Sequence, residues 1–138
     1  MNAANNIFNL PDDIVREILT YIPRQKLVFV NKLYYNSYHC CIKKYISLYE
    51  SYVRDTLRRD NFFVFEKIVE ENFKSWIENR QYRYKNMVFS NYIYFVLHFC
   101  TENNSEMCHK ILIKEFKKRD LCRNLHKKNI IKYIKWNS

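Results

Sequence analysis

The chain has 138 residues, no glycine, only two prolines and a net charge of +10. Without glycine it has no phosphate-cradling loop, no dinucleotide fingerprint, no nucleophile elbow and no standard calcium loop. It also lacks the Gly that two-residue hairpin turns favour at φ > 0, so helices joined by Asn- and Asp-containing turns are expected.

Residues 1–8 read as loose. Leu10-Pro11-Asp12-Asp13 opens the first helix, with two acids at the positive end of its dipole. Ile14, Ile18, Leu19 and Ile22 give it an apolar face, and Pro23 stops it near Tyr21. A second short helix is expected over Arg24 to Val30. A long amphipathic helix follows from Lys32 to Arg59, interruptible at Ser37, with Tyr34, Tyr38, Ile42, Tyr45, Tyr49, Val53 and Leu57 on one side. Asp60 or Asn61 caps the next helix, Phe62 to Glu78.

Asn79 to Tyr84 reads as a polar connector. Asn86 to Cys100 is the most apolar stretch. Its β-branched and aromatic residues allow a strand, but no neighbouring segment looks like a pairing partner, so a buried helix is expected. It is too short and too rich in Asn and His for a membrane span. Thr101 to Ser105 is a loop, and helices are expected over Glu106 to Phe116 and Asp120 to Trp136. Helical pairs at 61–100 and 106–136 show no convincing self-similarity. The expected fold is all-α. It divides into an N-terminal three-helix module, residues 1–38, and a helical domain, residues 39–138.

Ten of the 24 Lys and Arg residues fall after residue 109, against only two acids, Glu115 and Asp120. Lys114, Lys117, Lys118, Arg119, Arg123, Lys127 and Lys128 are therefore candidate phosphate contacts, with Tyr133 and Trp136 available for stacking. The five cysteines, with no signal-peptide pattern at the start, point to reduced thiols in the cytosol or nucleus. Cys100, Cys108, Cys122 and His126 could in principle ligate zinc, but no tight Cys-x2-Cys knuckle is present, and buried thiols are the simpler expectation. No nucleophile, base and carboxylate fall into a familiar arrangement, so neither an enzyme nor a cofactor is expected.

The most specific pattern is Leu10-Pro11, its apolar helix, Pro23, Leu27, then Val30-Asn31-Lys32 and Tyr34-Tyr35. This block resembles the F-box motif over about residues 8–38. It departs from that motif in a shorter stretch between Pro23 and Val30, in Asn31 where Cys is common, and in Tyr34 or Tyr35 where Trp is common. The resemblance implies a three-helix module docking on the Skp-type adaptor of a cullin-RING ubiquitin ligase. Leu10, Pro11, Ile14, Ile18 and Leu19 would make the contact, supported by Leu27, Val30 and Tyr34. The C-terminal helices would then hold a target protein. Coding bias toward Asn, Lys, Ile and Tyr makes the chain look like the short F-box-like proteins of large AT-rich DNA viruses of eukaryotes, acting in the host cell, and an AT-rich protist gives the same composition. The alternative expectation is a small basic structural or nucleic-acid-associated protein, a virion component for example.

Overall fold

A computed structural model describes residues 10–121 and 131–134, which belong to two compact units, Met1–Ser47 and Leu48–Ser138. The division read from the sequence lies after residue 38. The units divide instead after Ser47, in the extended turn between two helices.

In the N-terminal unit, helix α1 spans Asp12–Thr20, α2 Arg24–Leu27 and α3 Lys32–Tyr38, followed by a 3-10 turn at His39–Cys41 and a short helix α4 at Ile42–Tyr45. Pro11 and Pro23 stand at the N-caps of α1 and α2 in extended conformation. The Asn31 side chain accepts from Tyr34 N–H at 2.9 Å and caps α3. The long helix expected from Lys32 to Arg59 is thus interrupted twice, at the 3-10 turn and again at Ile46–Leu48. Helix α5 (Tyr49–Arg58) begins the second unit. Apolar periodicity runs through both interruptions because it reports which side faces inward, not whether the backbone is continuous.

The C-terminal unit continues with α6 (Phe62–Glu78), strands β1 (Arg80–Tyr84) and β2 (Met87–Asn91), helices α7 (Tyr92–Glu102) and α8 (Glu106–Lys118), and strand β3 (Ile131–Tyr133). The described residues are therefore mostly helical but not all-α, because the three strands form an antiparallel sheet in the order β1-β2-β3. The connector expected at Asn79–Tyr84 is a strand. The helix expected from Asn86 is strand up to Asn91, and the helix expected from Asp120 to Trp136 contains β3. Residues 122–130 and 135–138 of that last segment lie outside the described residues. The physical reason is alternation. Tyr82 and Tyr84 turn inward while Gln81 and Arg83 face solvent, and Phe89 of β2 is fully buried. The Tyr82 and Tyr84 rings both sit 4.8 Å from the ring of Phe95 on α7. Helix α7 buries Tyr92 to Leu97, Phe99 and Cys100, and is apolar all round because sheet and helices enclose it.

The unit repeats a helix–turn–helix frame, α5–α6 and α7–α8. Asp60 donates its N–H to Leu57 O, and Asn61 donates to Thr56 O. Asn104 donates in the same way to Thr101 O, and Ser105 to Cys100 O. Asp120 and Leu121 repeat the pattern on Lys117 O and Phe116 O. These paired bonds are Schellman closures, which need a left-handed residue usually supplied by glycine. Here Asp60, Asn104 and Asp120 take φ of 48°, 54° and 52°. The repeat frame is offset from the pairing expected in the sequence, which took α6 with α7 and so hid the correspondence.

The two turns interlock. The Asp60 carboxylate accepts from the N–H groups of Met107 (3.1 Å) and Cys108 (2.9 Å), capping α8 from across the repeat. The adjacent Ser105, which holds the N-cap position, turns its hydroxyl away to donate to Leu57 O. Burial opposes ionisation of Asp60, but the Cys108 and Met107 N–H groups outweigh it and hold the carboxyl below the usual carboxylate range. Asp60→Ala is expected to cost about 1–2 kcal/mol at neutral pH in chemical denaturation. Because the folded-state pKa is depressed, this contribution is present above the unfolded pKa of about 3.9. It is lost as pH falls below that value, so wild type and variant converge in acid.

A two-residue turn, Lys85-Asn86, joins β1 to β2 with Lys85 at φ 53°. The absence of glycine thus does not prevent a tight hairpin; it places a lysine where the backbone is strained. Lys85→Gly is expected to stabilise the unit by about 0.5–1 kcal/mol, read as a higher denaturation midpoint.

Candidate partner-docking site

Helix α1 contains no buried residue. Its apolar side chains form one broad arc that divides in two. Val15, Leu19 and Ile22 on one edge are half-buried. Ile14, Ile18 and Tyr21, spaced one helical turn apart, are 44%, 43% and 79% exposed, and Leu10 just before the helix is 38% exposed. Phe29, Val30 and Leu33 add exposed apolar surface on the same unit. The interior of the unit is small, with Val28, Tyr35 and Ile42 buried, Tyr34 stacked on Tyr38, and Arg24 lying 5.2 Å over the Tyr38 ring.

The eight residues expected to touch an adaptor therefore separate. Leu10, Pro11, Ile14, Ile18 and Val30 are exposed. Leu19, Leu27 and Tyr34 are half-buried and contribute to the unit itself as well. Tyr21, Phe29 and Leu33 were not singled out from the sequence. The signal available was an apolar residue off the inward-facing periodicity, and it carries little weight when read one residue at a time. A nine-residue helix is marginal alone. Burying the remaining exposed surface of Ile14 and Ile18 on a partner supplies on the order of 1 kcal/mol each.

The residues expected to contact phosphate on α8 stand in mixed company. Lys118 pairs with Glu115 at 3.3 Å, and the Arg119 guanidinium lies 4.3 Å from the centre of the Phe73 ring. Lys114, Lys118 and Arg119 line a groove of about 400 Å³ between α6 and α8 together with Glu66, Glu70 and Glu115. Acids on both helices oppose a phosphate track there. Arg123, Lys127 and Lys128 lie outside the described residues.

Of the possible zinc ligands, Cys122 and His126 also lie outside them. Cys100 and Cys108 are buried thiols. Burial pushes Cys100 up to about 12, and pushes Cys108 up as well, with the Asp60 carboxylate adding to both. Such thiols stay protonated and inert. Among the described residues no three His, Cys, Asp or Glu side chains gather as a metal site, and no helix is long and apolar enough to cross a membrane.

Polar groups inside the C-terminal unit serve the fold. Buried Asn72 donates to Tyr49 Oη at 2.8 Å and to Ile68 O at 2.7 Å, and Tyr82 Oη donates to the Glu50 carboxylate at 3.0 Å. Burial raises the Tyr49 and Tyr82 hydroxyls to about 12. Compared with known proteins, the chain matches no family model, no curated protein and no solved structure.

Proposed function

We propose that the protein is an F-box-like adaptor that brings a target protein to a cullin-RING ubiquitin ligase, acting by protein–protein contact alone. The observation that carries this reading is the exposed outer edge of α1. Leu10, Ile14 and Ile18 face solvent beside the half-buried inner edge, where a partner helix can lie against them. Pro11 fixes the entry of the chain into α1, and the Asn31 cap sets the start of α3. Leu19, Leu27 and Tyr34 then act from behind the contact surface, holding the three helices together rather than touching the partner over their whole length.

In this reading the C-terminal unit carries the target. Its α6–α8 groove has carboxylates on both walls and cations on the α8 wall, a composition suited to a segment bearing both charge signs. The setting is the cytosol or nucleus, where the ligase subunits operate, in a host cell if the chain is viral. Co-purification with a Skp-type adaptor tests the proposal. Wild type recovers the adaptor and Leu10→Ala/Pro11→Ala recovers less. Equal absence of adaptor from both samples would discard the proposal.

A further inference from the structure

The outward face of the β-sheet belongs to the C-terminal unit and uses none of the residues that line the α6–α8 groove. Val88 on the central strand pairs with Arg83 of β1 on one side and Lys132 of β3 on the other. The three residues form one cross-strand row. Inward neighbours on the same strands, Tyr82, Tyr84 and Phe89, pack on the core, so Arg83, Val88 and Lys132 project the other way. A cavity of about 360 Å³ on this sheet is lined by Arg80, Gln81, Val88, Phe89, Ser90, Asn91 and Lys132. Its side chains include two cations, two amides and a hydroxyl, and no carboxylate. Arg80, Arg83 and Lys132 are exposed, and none has an acidic partner among the described residues. By register Arg80 and Asn91 share the parity of inward Tyr82 and Phe89, but the left-handed Gln81 (φ 58°) interrupts the pleat at the end of β1, and Arg80 lines the same cavity as Lys132.

We infer that this face binds single-stranded nucleic acid. With strands about 4.8 Å apart, Arg83 and Lys132 are separated by roughly 10 Å across Val88. Arg80 lies roughly 10 Å along β1 from Arg83. Three cations so spaced do not converge on one phosphate group; they suit a polyanion that presents charge repeatedly. Arginine adds bidentate donation to phosphate oxygens. Gln81, Ser90 and Asn91 supply neutral donors and acceptors between the cations, matched to base edges rather than to a run of carboxylates. The face is only three strands wide, which accommodates one strand of nucleic acid.

The inference rests on the C-terminal unit alone, so it stands or falls apart from adaptor docking. The test is fluorescence anisotropy of the full chain with a labelled oligothymidylate of about 20 nucleotides across a salt series. Wild type binds at low salt with a log–log slope near −2, about −0.7 for each of three phosphates. Arg80→Gln/Arg83→Gln/Lys132→Gln binds at least about tenfold more weakly. Lys114→Gln/Lys117→Gln/Lys118→Gln removes the same charge from α8 and stays within about threefold of wild type. Arg80→Lys/Arg83→Lys keeps the charge but not the bidentate fork and falls between wild type and the neutralised variant, while a thermal midpoint near that of wild type in every variant separates lost contacts from lost folding. No binding by wild type, equal loss in the two neutralised variants, or a larger loss in the α8 variant overturns the inference. Displacement by polyglutamate as effective as by unlabelled oligonucleotide also overturns it, and assigns the face to an acidic protein segment.

Discussion

Phe95→Ala is expected to lower the stability of the C-terminal unit by about 4 kcal/mol in equilibrium denaturation. Phe95 is fully buried, and its ring lies 4.8 Å from those of Tyr82 and Tyr84, 5.4 Å from Tyr92, 5.6 Å from Phe99 and 5.7 Å from Phe89. It is where the hairpin and α7 meet. Removing it deletes apolar contact and leaves a cavity that a rigid sheet on one side and enclosing helices on the other cannot easily close. A domain of this size has about 5–15 kcal/mol in total, so the variant would be close to unfolding at physiological temperature. A loss below about 1.5 kcal/mol would mean that the aromatic cluster repacks and that the sheet is not anchored through Phe95.

Ile14→Asp/Ile18→Asp is expected to abolish recovery of a Skp-type adaptor while leaving the thermal midpoint within about 2 °C of wild type. Both side chains are close to half exposed, so the unit loses little when they become charged. A docked partner would have to desolvate two carboxylates against an apolar surface, at several kcal/mol. Leu19→Asp provides the contrast. Leu19 is half-buried, and the same charge there should lower the midpoint as well as docking. The discriminating measurement is thus the pair of readouts, adaptor capture and melting, on the same samples. If the Ile14/Ile18 variant still captures adaptor as wild type does, α1 is not the contact surface. If it melts as the Leu19 variant does, the outer edge belongs to the interior of the unit.

Much of the local structure was legible without coordinates because it depends on neighbours in the chain. Pro11 and Pro23 mark where α1 and α2 begin, for a missing N–H and a fixed φ act within one turn. Asn61 caps α6 through its own side chain, which accepts from Val64 N–H at 3.4 Å. Asp and Asn occupy the left-handed closures at Asp60, Asn104 and Asp120 because they tolerate that conformation better than other residues once glycine is absent. The amphipathic arc of α1 could be read from spacing alone, and the candidate docking residues follow from the resemblance of residues 8–38 to the F-box motif.

The sheet was hidden because a strand is defined by its partner. Arg80–Tyr84 looks polar until Met87–Asn91 lies beside it, and Met87–Asn91 looks helical while it runs unbroken into the apolar residues of α7. The short β3 likewise has meaning only against β2. Arg80, Arg83 and Lys132 come together only once the three strands pair, whereas the basic run of α8 is contiguous in the chain. The Asp60 cap is of the same kind. Its acid is local to one turn, while the N–H groups it serves belong to a helix that begins at Glu106.

What this sequence determined by itself were the proline-marked starts of α1 and α2, the Asn61 cap and the apolar arcs, since each is set by steric and hydrogen-bonding preferences acting over a few residues. Only the tertiary structure decided which half of the α1 arc faces solvent, which helices repeat, and which distant side chains share a surface. Those outcomes depend on contacts between residues far apart in the chain, and no short window of sequence contains both partners.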